Sequence, residues 1–196
     1  DELCRLVRAA GLEIEEDRAF TRFCLPFAHN LVYGLGGRPA MERLQDLVLA
    51  AGEDERELMR SGLHLGFVVD EHKLDFTRGD FLVRNLLGAD QRSGALAVGD
   101  VVHVGTTVQF HVRDATAAGE DLRVLLQRVE GDAALLFTCN GRGTHMFSVP
   151  DHDAGLVERR FGAVPIAGAF CAGELGPVGG RNFLHGFTAS VAVFGQ

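Results

Sequence analysis

Apolar positions divide the chain into alternating helical and extended stretches. After Pro39, the residues Met41, Leu44, Leu47 and Val48 recur at helical spacing, and Gly52 closes the run. That pattern predicts an amphipathic helix, opened by a proline and ended by a glycine. "EDERELMRSG" predicts a further helical turn or two. In "DATAAGEDLRVLLQRVEG", Leu122, Leu125, Leu126 and Val129 form a buried stripe, with Asp114 or Thr116 as the cap. "DHDAGLVERRFG" reads as a third, shorter helix, and residues 1–17 as a short helix followed by a charged strand or loop.

Between these lie strand signals. "FCLPFAHNLVYGL" is strand-like although Pro26 interrupts it, and "LHLGFVVD" is an apolar run of strand length. "FLVRNLLG", "ALAV", "VVHVG" and "TTVQFHVRD" predict a meander. In the last of these, Val108, Phe110 and Val112 alternate with Gln109, His111 and Arg113, the two-residue period of a half-buried strand. "AALLFTC" and "VPIAGAFC" predict two more strands, and "FLHGFTASVAVFG" a long closing one after a glycine-rich loop. The whole predicts an α+β domain, a largely antiparallel sheet with helices packed on it.

Composition narrows the function. The net charge of −8, from 19 basic and 27 acidic residues, argues against nucleic acid or an anionic membrane as partner. No apolar stretch reaches membrane-span length, and the charged opening "DELCRLVRAAGLEIEED" does not read as a signal peptide. Cys4, Cys24, Cys139 and Cys171 show neither zinc-site spacing nor a disulfide framework, so a reducing cytoplasm is expected. Lys73 is the one lysine among the 19 basic residues, a bias ascribed to codon preference. Three of the four asparagines stand beside arginine: Arg84–Asn85, Asn140–Gly141–Arg142 and Arg181–Asn182.

Three blocks carry a likeness: "GDFLVRNLLGAD…GALAVGDVVHVGTTVQFHVRDA", "LLFTCNGRG" and "FCAGELGPVGGRNFLHGFTASVAVF". In this order they closely resemble the C-terminal half of the FIST domain, over most of the chain from about Arg38 to Phe194. The resemblance implies an intracellular sensory module, found in bacterial signal-transduction proteins and in some eukaryotic F-box proteins, that binds a small amino-acid-like ligand. It implies an N-terminal half in cis and downstream signalling proteins as partners. Residues 1–20 then read as a lead-in or the trailing edge of that half, and 21–196 as the C-terminal-type domain. One branch resembling this family binds haem and senses nitric oxide, which makes haem the alternative ligand. A protein-interaction adaptor, as in the F-box relatives, is the other alternative.

The residues themselves nominate a site. In "FCAGELGPVGGRNFLHGFT", glycines 173, 176, 179 and 180 allow close backbone approach and positive φ. Arg181 offers a fork for a carboxylate, Asn182 donates and accepts, and Glu174 suits an ammonium group. Equally, Arg181 and Asn182 can satisfy the loop's own carbonyls. Asn140–Gly141 is a turn signal, while Arg142 reads either as a recognition group or as a solvated tip. Arg84 and Asn85 sit mid-strand, where Arg84 takes either a ligand carboxylate or a salt bridge to Asp80 or Asp114. His111 and His185 are candidate pocket donors or haem ligands, and also ordinary hydrogen-bonded histidines. If Arg142, Arg181, Asn182 and Glu174 bind one ligand, they should line one cleft. Cys139 and Cys171 show no nucleophile signature, so catalysis, with Cys171 as the remote exception, is not expected.

Overall fold

A computed structural model describes residues 30–195. The elements expected in residues 1–17, and the first part of "FCLPFAHNLVYGL", lie outside the described residues. Chain order is β1 (Leu31–Val32), β2 (Gly34–Leu35), β3 (Arg38–Pro39), α1 (Ala40–Ala50), α2 (Glu53–Ser61), β4 (Leu63–Val68), β5 (Phe81–Asp90), β6 (Ala95–Val98) and β7 (Val108–Val112). There follow α3 (Ala115–Leu126), β8 (Ala133–Cys139), α4 (His152–Phe161), β9 (Ile166–Cys171), β10 (Glu174–Val178), β11 (Arg181–His185) and β12 (Ala189–Phe194). The fold is α+β with mostly antiparallel pairing.

Helices α1 to α3 begin where partners are at hand for their orphan N–H groups. At the start of α1, the Ala40 and Met41 N–H groups donate to the Tyr33 and Gly94 carbonyls, each at 3.0 Å. Before α2, the Gly52 N–H donates to the Glu55 carboxylate at 3.0 Å, and Glu53, Asp54 and Glu55 place negative charge at the positive end of the helix dipole. Asp114 caps α3, its carboxylate accepting from the N–H groups of Thr116 and Ala117 at 3.1 and 3.0 Å.

The described residues divide into two compact units. One comprises residues 30–67 with Arg84–His111, and its sheet runs β1-β6-β5-β4-β7. The register shifts between Leu86 and Gly88, where β5 bulges against β6. Val32, Ala40, Leu65, Leu96 and Val98 are its buried centre, with Met41 and Leu44 of α1 packed against them.

The other unit comprises Val68–Val83 and residues 112–195. Its sheet runs β12-β8-β9. β8 pairs antiparallel with β12 but parallel with β9, because α4 carries the chain back to the starting end. Alternate residues of β8 (Ala134, Leu136) pack with Leu122 and Leu126 of α3 and Val157 of α4. Leu135, Phe137, Ala167, Ala169 and Phe194 face the other way and are exposed.

Four expectations need correction. The glycine-rich "loop" is a hairpin: β10 pairs with β11 from Glu174↔His185 to Val178↔Arg181, and Gly179 and Gly180 make the turn at φ 57° and 78°. The long closing strand is two, broken at Gly186–Thr188, where Phe187 takes φ 62°. "VVHVG" is not a strand, and Val101 and Val104 are exposed there. In α3 the buried residues are Leu122 and Leu126; Leu125, within the helix, and Val129, beyond its end at Leu126, are exposed.

Candidate functional site

One cleft stands out in the second unit, with a volume of about 390 Å³. Its floor is the helix-facing side of β8 and β9, and its rim is the 142–154 segment running into α4. Leu136, Val149, Pro150, Ile166 and Phe170 give it apolar walls. Size and lining match a site for a small organic molecule.

Polar groups gather at one part of this wall. Thr138 continues the inward phase of β8 after Ala134 and Leu136 and is 5% exposed. Its Oγ1 is buried without a hydrogen-bond partner, and the residue lines the cleft. Such a group is uncommon in a folded protein and marks a place where a further polar atom fits.

Arg142 follows, in the short 3-10 turn Asn140–Arg142 that ends β8. The cation is 6% exposed, the reverse of a solvated tip. Its Nε and Nη2 each donate to the Asp153 carboxylate at 2.8 Å, and the guanidinium lies 5.2 Å from the Phe147 ring centre. The two-pronged pair spends those nitrogens on Asp153 and leaves Nη1 outside it. Burial by itself pushes the Asp153 carboxyl up, but hydrogen bonds from Arg142 and His152, and the attraction of both, reverse this and hold it below the usual carboxylate value. His152 places Nδ1 3.0 Å from Asp153 and stacks on Phe147 at 3.6 Å.

The third contribution is the start of α4. Asp151 stands at its N-cap in the left-handed region, φ 53° and ψ 28°, a conformation aspartate tolerates better than most residues. Its side chain does not cap the helix. The first-turn N–H groups therefore lack that carboxylate as a partner, and Asp151 to Ala154 line the cleft. A hydroxyl, a guanidinium nitrogen and a helix N-terminus suit an anionic ligand group, and the Asp151 carboxylate beside them suits a cationic one.

The residues nominated from sequence are distributed differently. Of the four expected to share a cleft, Arg142 lines this one, and Glu174, Arg181 and Asn182 do not. Arg181 and Asn182 are exposed beside the Gly179–Gly180 turn, with the Arg181 guanidinium 5.6 Å from the Phe183 ring. Glu174 is buried; Oε2 accepts from the Thr188 hydroxyl at 2.8 Å, while Oε1 has no hydrogen-bond partner. Asn140 is exposed in the turn before Arg142.

Arg84, Asn85 and His111 belong to the first unit. Arg84 donates Nε to Asp100 at 2.6 Å, so its ion pair is neither of the two expected. Asp80 instead pairs with Lys73, and Asp114 caps α3. Asn85 is exposed and its carbonyl accepts from the Gly99 N–H. His111 is half-buried, and burial lowers its pKa. His185 donates Nε2–H to the Gly176 carbonyl at 2.9 Å. Neither histidine lines the cleft, so these residues do not fit a haem bound there.

Sequence reasoning passed over Thr138 and Asp151. His152 and Asp153, which form no recognised metal-ligand spacing, read there as loop residues, whereas the structure puts both in the first turn of α4. The signal was "PDHDAG", an aspartate-rich start to a predicted helix, together with a threonine in the buried phase of "AALLFTC". Among the described residues no three His, Cys, Asp or Glu side chains are placed to hold a metal ion, and no helix is long and apolar enough to cross a membrane.

Comparison with known proteins places these features in a family context. The sequence model of the FIST C domain matches residues 40–177. The uncharacterized protein Rv0628c of Mycobacterium tuberculosis is 55% identical over 166 residues, covering 82% of this chain and 43% of that protein. The uncharacterized protein Mb0898c of Mycobacterium bovis is 51% identical over 170 residues, 84% of this chain and 44% of that protein. The chain thus spans less than half the length of these relatives. No solved structure matches it.

Proposed function

Since this chain belongs to the FIST C domain family, we propose that it is the ligand-binding part of a sensory signal-transduction protein and that its ligand lies in the β8–β9–α4 cleft. The observation that carries this reading is the unpartnered, buried Thr138 hydroxyl on the wall of the cleft. The ligand is a small amino acid with an apolar side chain. Its carboxylate takes the Thr138 hydroxyl, Arg142 Nη1 and the first N–H groups of α4. Its ammonium faces Asp151, and its side chain lies against Ile166, Val149 and Phe170. The domain binds this molecule without transforming it, and binding shifts a conformational equilibrium that downstream signalling proteins read. The rest of the longer protein, including an N-terminal half, completes the sensor.

Thermal-shift screening against single amino acids, followed by calorimetric titration of leucine, tests the reading. A ligand at about a hundred times its Kd should add about 2.7 kcal/mol of stability. Thr138→Val removes one charge-assisted hydrogen bond, about 1.5–3 kcal/mol, and should weaken binding roughly ten-fold or more. Arg181→Ala, on the exposed hairpin, should leave the affinity unchanged. If no amino acid stabilises the protein, or if Thr138→Val binds as tightly as the parent, the cleft is not the site.

A further inference from the structure

Cys139 and Cys171 are directly opposite one another. β8 and β9 run parallel in the register Cys139↔Cys171, the last pair of a ladder that begins at Ala134↔Ile166. Residues in register on neighbouring strands project to the same face, and such strands lie about 4.8 Å apart. A disulfide requires Cα atoms about 4.4–6.8 Å apart and Cβ vectors on a common side. The register puts both side chains on one face and, at ordinary strand spacing, the Cα atoms within that range, and both residues are free thiols. No element need move as a body for the sulfurs to meet.

The surroundings differ between the two sulfurs in a useful way. Cys171 is half-buried at the exposed edge strand β9, so solutes reach it, whereas Cys139 is 7% exposed. Burial pushes the Arg113 guanidinium down to about 10, and the Cys139 sulfur partly offsets this, so a cation lies within Coulombic reach of the inner cysteine. Arg113 is held there by its guanidinium carbon 3.2 Å from the Phe187 ring centre.

We propose that Cys139 and Cys171 are an oxidative modification site, a dithiol that peroxides convert to a cross-strand disulfide. The Cys171 thiolate attacks one oxygen of hydrogen peroxide, the O–O bond breaks, and hydroxide leaves, giving a sulfenic acid. The Cys139 thiolate then attacks the Cys171 sulfur, forming the S–S bond and expelling the sulfenic oxygen as hydroxide. With the two thiol protons, the sum is two thiols and one peroxide to one disulfide and two waters. The link joins the strand ends from which Arg142 and the β10 hairpin depart. This inference is independent of the ligand reading.

The test is peptide mapping of the whole chain after treatment with one equivalent of hydrogen peroxide. Remaining thiols are blocked with N-ethylmaleimide before non-reducing digestion. The expected product is a peptide pair joined through Cys139 and Cys171, two hydrogen masses lighter than the sum, in more than half of the protein. Dithiothreitol should abolish it. Cys171→Ser should remove the cross-link and leave Cys139 alkylated. The proposal is overturned if Cys171 goes on to sulfinic acid while Cys139 remains alkylatable, or if the disulfide found joins Cys4 or Cys24 instead.

Discussion

Replacing Asp153 by asparagine keeps the side chain's shape and removes its charge. The Arg142 guanidinium, 6% exposed and unable to give up its proton, then remains buried without a counter-ion. Breaking a buried pair in this way costs about 3–5 kcal/mol. Because the amide oxygen still accepts one of the two hydrogen bonds, the lower end, about 3 kcal/mol, is expected. Against a typical stability of about 5–15 kcal/mol this is a large loss, and at roughly 2–4 °C per kcal/mol it lowers Tm by roughly 6–12 °C. Urea unfolding followed by far-UV circular dichroism measures it. Arg142→Met with Asp153→Leu removes both charges, and most of the lost stability should return, since well-packed apolar replacements of buried pairs are often neutral or better. The pH dependence follows from the depressed Asp153 pKa. Its contribution is present in full above the unfolded aspartate value of about 3.9 and is lost as pH falls through the lower folded value. The gap between the parent and Asp153→Asn should therefore persist at neutral pH and close only below about pH 4. A loss under about 1 kcal/mol at pH 7, the size expected for an exposed pair, would refute the reasoning.

Two further perturbations test the frame around the cleft. Asp114→Ala removes the carboxylate that accepts from Thr116 and Ala117, so unfolding free energy should fall by about 1 kcal/mol; an unchanged urea midpoint would contradict the cap. In Gly168→Ala the new Cβ would collide with the Leu136 carbonyl oxygen, a backbone atom that cannot rotate aside. It should cost about 1–3 kcal/mol or more and speed amide exchange along β8 and β9, and unaltered exchange there would argue against the close strand approach.

Local chemistry made most elements legible. The three-to-four spacing from Met41 to Val48 and the Asp114 cap mark helices that the structure contains, because these signals act between residues a few positions apart. Where a local signal competed with tertiary demand, the sequence misled. Val101 and Val104 look like strand residues, yet no neighbouring strand pairs with them, and pairing is a long-range event. The glycines after Gly173 suggest an open loop, but strand register makes them part of a hairpin with a Gly-Gly turn.

The candidate site shows the same division. Residue types and order were enough to identify the family and to mark Arg142 as a residue with two opposed readings. Whether it is a surface tip or a buried cation depends on Asp153, eleven residues on, which α4 carries back beneath the end of β8. Thr138 is an ordinary strand residue until that helix and β9 enclose it and leave its hydroxyl without a partner. Cys139 and Cys171 are far apart in sequence and become neighbours only through the parallel register of β8 and β9. Backbone propensity and hydrophobic period are written into short stretches of chain and can be read there. Burial, pairing and charge compensation are properties of surfaces that meet only on folding, and tertiary structure alone decides them.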